Sequence, residues 1–151
     1  MHSIKIPSDL LEKIFEHARK DYPSECCGFI VGPDDQASRL SRSIPCINAQ
    51  DEYHTRDPLQ FPRTSQNAYF VEPRQLLQIQ KEIRSKGEVL RMIYHSHPNS
   101  DAVFSAEDQK MAAMNGEPVY PDVSYLVISV KQSEIAGYNV FSWDLSQRKF
   151  V

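Results

Sequence analysis

The sequence predicts a three-layer α/β fold in which a β-sheet of mixed direction is flanked by helices. Three observations carry this expectation. Helix-like and strand-like segments alternate early in the chain, and a hairpin pattern closes it. Between them, residues 89–94 form a compact apolar run of the kind that fills a central, doubly covered strand. The length of 151 residues suits one domain, residues 1–151, with one adequate core.

Taken in order, residues 4–6 read as a short strand, and Pro7 suits a helix start. Leu11, Ile14, Phe15 and Ala18 then fall at i, i+3, i+4 and i+7, one face of an amphipathic helix that Pro23 ends. Residues 27–31 are a short apolar strand between Gly28 and Gly32, and residues 38–47 alternate as an edge strand would. Residues 48–67 are polar, contain Pro58 and Pro62 and keep no period, so they read as a long loop, a common place for function. After an extended stretch at 69–71, Pro73 opens a helix with Leu76, Ile79 and Ile83 on one face, closed by Gly87. A helix from Ser105 to about Met114 ends at Asn115-Gly116, and residues 125–130 and 135–143 are the last strands.

The composition excludes several functions. A formal charge of -3, a pI near 5.9 and scattered Lys and Arg provide no field for a nucleic-acid binder. The longest apolar stretches, such as residues 125–128, are far too short to span a bilayer. With no basic segment followed by an apolar run near the start, no secretory signal and no membrane association are expected. The three cysteines, two of them adjacent, form no disulfide framework, so a reduced, cytoplasmic setting is expected.

The segment that constrains chemistry is His95-Ser96-His97-Pro98, followed after six residues by Ser105-Ala106-Glu107-Asp108. On an extended chain, side chains at i and i+2 share a face, so His95 and His97 converge, and Pro98 then ends the strand. Asp108 lies one helical turn beyond Ser105, where Ser105-x-x-Asp108 also reads as a helix N-cap that fixes the direction of the carboxylate. Two His and one carboxylate, with a fourth position left to water, is the ligand set of a catalytic zinc. His95, His97, Pro98, Ser105 and Asp108 at fixed spacings arise by chance on the order of 10⁻⁵ of the time in such a chain, so coincidence is set aside.

These residues resemble, without gap or substitution, the signature of the JAMM (MPN-plus) zinc metallopeptidases. The upstream Pro23-Ser24-Glu25-Cys26-Cys27-Gly28 resembles the glutamate-bearing strand of that family, and in particular its small stand-alone bacterial members. The resemblance runs from about Ile4 to Phe150 and implies a cytidine-deaminase-like arrangement of the sheet. It further implies that His95, His97 and Asp108 hold zinc, that Glu25 is the general acid/base, and that Ser105 hydrogen-bonds the reacting oxygen. Zinc would lower the pKa of its water to about 7, and Glu25 would carry the proton to the leaving amine. The implied substrate is an amide bond at the C-terminal Gly-Gly tail of a ubiquitin-like sulfur-carrier protein or its amino-acid adduct. Alternatives are a JAMM peptidase of phage-tail or cell-wall type and a non-catalytic MPN docking module. A zinc nucleoside deaminase is rejected, because it requires His-x-Glu and Cys-x-x-Cys. The oligomeric state is not read from the sequence.

Other residues are expected to be structural. Cys26 and Cys27 read as small buried hydrophobes rather than nucleophiles. His54 reads as a solvated loop residue, while His2 and His17 lack companions at ligand spacing. Tyr53, Phe61, Tyr69 and Phe70 are expected to form a satellite core beneath the loop.

Overall fold

The computed structural model describes residues 4–151; His2 lies outside them. Helix α1 spans Ser8–Asp21 and begins after Pro7, and its buried face is Leu10, Ile14 and Ala18, with Leu11 and Phe15 half-buried. Strand β1 (Cys27–Pro33) and strand β2 (Arg42–Cys46) pair antiparallel. Helix α2 (Gln50–Arg56) and helix α3 (Pro73–Ser85) precede the long strand β3 (Glu88–Pro98). Helix α4 (Ala106–Ala112) runs into a small ribbon, β4 (Ala113–Met114) and β5 (Glu117–Pro118). Strands β6 (Ser124–Lys131) and β7 (Glu134–Phe141) form a hairpin, and β8 (Trp143–Asp144) pairs with β9 (Lys149–Phe150).

The main sheet has five strands in the order β2-β1-β3-β6-β7. Every neighbouring pair is antiparallel except β3 and β6, which run parallel, so the chain between them must cross over, and it does so through α4. Side-chain alternation divides the sheet between two apolar layers. Met92 and Tyr94 of β3 join Leu10, Ile14 and Ala18 of α1, whereas Ile93 joins Ile79 of α3 and Ala112 of α4. His95 and His97 continue the Ile93 side, which aims both imidazoles at the α4 layer. The mixed three-layer sheet is therefore the architecture expected from the sequence.

Four expectations need correction. Residues 4–6 form no strand; they lead into α1, and Ile6 packs half-buried against the α1 layer. The second strand is confined to Arg42–Cys46. The 48–67 loop contains α2, which lacks an apolar period because it is held by local hydrogen bonds, such as that of the Gln50 amide to Asn48 Oδ1, rather than by a buried stripe. The helix after Ser105 stops at Ala112, since the next two residues pair with β5.

Gly28 shows how tightly β1 and β3 are joined. It faces Tyr94 in the ladder, and a Cβ at this position would meet the Tyr94 ring. That ring is fully buried and its hydroxyl lies 2.7 Å from His17 Nδ1, so it has nowhere to yield. Gly28→Ala is therefore expected to cost about 1–3 kcal/mol in chemical denaturation. Gly137→Ala, where an added methyl meets nothing within 4 Å, is expected to stay within about 0.5 kcal/mol of the parent. Equal losses in the two variants would mean that the β1–β3 contact is not close-packed.

Candidate metal centre

The two imidazoles and Asp108 converge as the spacing requires. His95 Nε2 and His97 Nε2 lie 3.1 Å apart. His95 Nε2 is 3.2 Å from Asp108 Oδ1, and His97 Nε2 is 3.2 Å from Asp108 Oδ2. For metal–ligand bonds of about 2.0 Å, the edges of a tetrahedron are about 3.3 Å, so the nitrogen–nitrogen separation and each nitrogen's distance to its nearer carboxylate oxygen are of the size that a zinc coordination shell requires. The protonation pattern fits as well. His97 Nδ1 lies 3.0 Å from the carbonyl oxygen of Asp101, which only accepts, so Nδ1 carries a proton and Nε2 is the ring nitrogen turned toward His95 and Asp108. Burial holds His95 below the usual imidazole range, which favours its neutral, ligating form. Its ring stacks on Tyr69 at 4.8 Å between centroids, and its buried Nδ1 has no protein partner.

Asp108 is aimed by the start of α4. Ser105 is the N-cap: its Oγ accepts the Asp108 N–H at 3.0 Å, and Asp108 Oδ2 accepts the Ser105 N–H at 3.0 Å. Accepting with its oxygen leaves the Ser105 hydroxyl proton available to another acceptor. Burial alone would raise the Asp108 carboxyl, but hydrogen bonds with the two imidazoles and from the Ser105 amide hold it well below the usual carboxylate range. Burial likewise opposes protonation of His97, yet its hydrogen bond with Asp108 raises it above the ordinary value.

Glu25 sits just before β1, two residues from Cys27, which faces His95 in the ladder. The Ser96 N–H donates to the Cys26 carbonyl at 3.1 Å, so the pairing continues to this end and brings Glu25 alongside His97. Glu25 is 5 % exposed, and burial pushes its carboxyl up to about 8, with His97 and Arg63 opposing and Asp108 adding to the rise. A group with this value near neutral pH both accepts and returns a proton.

The 48–71 segment holds the main chain of Glu25 from both sides. The Glu25 N–H donates to the Ser65 carbonyl at 2.7 Å, and Asn48 Nδ2 donates to the Glu25 carbonyl at 2.9 Å. Asn48 also donates to the Ala68 carbonyl and accepts from the Gln50 and Phe70 amides, so its side-chain amide is fully used. Asp51 accepts from the amide and hydroxyl of Ser65, each at 2.7 Å, and the Ser65 hydroxyl lies 2.9 Å from that of Ser24. A single sequence carries no signal for these long-range bonds beyond an Asn at a strand end, where Asx turns are common. Glu25 and Asp108 together line a cleft of about 520 Å³, whose walls include Phe61, Arg63, Tyr69 and Tyr120.

The remaining candidates lie apart from this chemistry. Cys26 and Cys27 are buried on opposite faces of the sheet; burial pushes the Cys26 thiol up to about 12 and that of Cys27 well above its usual value. His54 is on α2 with Nδ1 at 2.7 Å from the Phe61 carbonyl, and His17 pairs with Tyr94 and Asp21. Tyr53, Phe61 and Phe70 form the satellite aromatic cluster, with centroids 4.7–5.2 Å apart, whereas Tyr69 belongs to the His95 wall.

Residues 7–146 match the family model described as prokaryotic homologs of the JAB domain. The CysO-cysteine peptidase of Mycobacterium tuberculosis is 29% identical over 143 residues, covering 93% of this chain and 84% of the relative. The desampylase of Haloferax volcanii is 32% identical over 130 residues, covering 83% of this chain and 80% of its own. A solution structure from Desulfitobacterium hafniense superposes with a TM-score of 0.64 at 29% identity, over 90% of this chain and 80% of that one. No described helix is long and apolar enough to cross a membrane. With a His-His-Asp group able to hold a metal ion set against a buried glutamate, the chain belongs to the prokaryotic JAB-domain family and is a hydrolase acting on peptide or isopeptide bonds.

Proposed function

We propose that the protein is a zinc-dependent peptidase that cleaves the amide bond following the Gly-Gly tail of a ubiquitin-like sulfur carrier. The observation that carries this reading is the 3.1–3.2 Å triangle of His95, His97 and Asp108 beside the buried carboxyl of Glu25. The relatives named CysO-cysteine peptidase and desampylase support the substrate class. The ligands would be His95, His97 and Asp108, and zinc held there supplies Lewis acidity that makes a nucleophile from water near pH 7.

The rest of the work falls to the chain. Glu25, raised by burial, accepts the water proton and passes it to the departing nitrogen, which would otherwise leave as an unstable anion. The Ser105 hydroxyl, with its proton free, donates to the developing oxyanion. Tyr69 and Phe61 form apolar parts of the cleft wall. A Gly-Gly tail suits this place, because only a residue without a side chain brings its carbonyl close to such buried ligands.

Protein purified without added metal is expected to hold about one zinc per chain by elemental analysis, in keeping with a three-ligand site. His97→Ala should lose both the metal and the cleavage of a carrier extended beyond its Gly-Gly end; full activity without metal would overturn the reading. Glu25→Gln should keep the metal while turnover falls about 10²- to 10⁴-fold, and loss of zinc from this variant would make Glu25 a ligand instead. Ser105→Ala should also keep the metal, slow turnover by about 10²-fold and lose about 1 kcal/mol of stability with the cap. An unchanged rate in a protein of lowered stability would leave Ser105 only its capping role.

A further inference from the structure

The cleft beside the proposed zinc ligands is acidic, with Glu25, Asp108 and Glu107 in its lining, and among its described lining residues Arg63 is the only Lys or Arg. The Arg63 guanidinium is loosely engaged. Its Nη1 donates to the Asn67 carbonyl at 3.2 Å, and its Nη2 stands 4.0 Å from Glu107 Oε2, with 44% of the side chain exposed. An ion pair this open contributes little to stability, so it gives no structural reason for a guanidinium here. The main chain beneath it, by contrast, is held firmly. The Arg63 carbonyl accepts from the buried Gln50 side chain at 2.9 Å, and two residues on, Ser65 binds the Glu25 amide. The charge of Arg63 also acts on the Glu25 carboxyl, favouring its ionised form.

Leaving groups of a Gly-Gly tail fall into two chemical classes. The side-chain nitrogen of a protein lysine has no charged group nearby. The nitrogen of a single amino acid has an α-carboxylate one carbon away, and in any productive pose this anion falls near the residue that protonates the nitrogen. Against Glu107 alone it would be repelled. A planar guanidinium with unspent donors is the group that binds such a carboxylate through two hydrogen bonds. We propose that Arg63 sets leaving-group specificity by receiving the free α-carboxylate of a single departing amino acid, so that the preferred substrates are amino-acid adducts of the carrier tail rather than isopeptides. This rests on the peptidase reading given above.

The test uses the zinc-loaded full chain and two peptides ending Gly-Gly-Ala that differ only in a free carboxylate or a carboxamide at the end. The wild type is expected to cleave the acid with a kcat/KM roughly 10- to 100-fold above the amide, mostly through KM, as for one lost charge-assisted contact. Arg63→Gln should bring the two rates together with zinc content and Tm unchanged, and Arg63→Lys should restore part of the preference. Equal cleavage of acid and amide by the wild type, or a preference that survives Arg63→Gln, overturns the role of Arg63 and leaves the peptidase reading standing. If the zinc-loaded wild type cleaves neither peptide, nor a carrier protein bearing the same one-residue extension, the tail-peptidase reading falls and this inference with it.

Discussion

The Asp108 carboxylate answers to two demands with the same two oxygens. It closes the N-terminus of α4 by accepting the Ser105 amide, and it meets both imidazoles at 3.2 Å. A carboxylate is favoured at a helix N-terminus whether or not a metal is nearby, because unpaired N–H groups and the helix dipole both attract it. The position of Asp108 beside the two imidazoles is thus set by the same force that starts the helix. The crossover from β3 to β6 needs a helix at this point, so the fold and the donor set share one local interaction.

Strand parity supplies the rest of the geometry. His95 and His97 lie on the α4 side of the sheet because Met92 and Tyr94 are taken by the α1 side. The antiparallel register brings Glu25 to the same end and the same face. Shifting β3 by one residue would turn both imidazoles into the α1 layer, where Leu10, Ile14 and Ala18 leave no room for polar rings. The fit of Gly28 to the Tyr94 ring stands against such a shift, which gives a residue on the far face a share in holding the site.

The convergence of His95, His97 and Asp108 was legible in the sequence because each part has a local signal: alternation for the two His, a capping pattern for Ser105 and Asp108, and a central apolar run leading into them. The layered fold was legible for the same reason, since the periods of α1, α3, β3 and β6 are strong. Helix α2 was not, because Gln50–Arg56 buries only Gln50 and so lacks the apolar stripe from which helices are read. The bonds from Asn48, Asp51 and Ser65 to the Glu25 region cross up to 41 residues of sequence, and nothing in the identity of a polar residue names its distant partner. The 4–6 alternation misled because two isoleucines satisfy a strand pattern, whereas the segment leads into α1 and Ile6 packs against that layer instead.

The anchoring of Glu25 by the 48–71 segment has a bearing on how the cleft is entered. A flap that swings away on each turnover needs a hinge whose motion leaves the reacting groups in place. Here the segment grips both the amide and the carbonyl of the one residue suited to carry the proton. Lifting it would unseat that residue, so an open flap and an aligned glutamate are mutually exclusive. The 48–71 segment and Glu25 are therefore expected to keep their relative place through turnover. On the proposed reading, a narrow, flexible tail suits a cleft whose wall is tied to the glutamate in this way better than folded chain does.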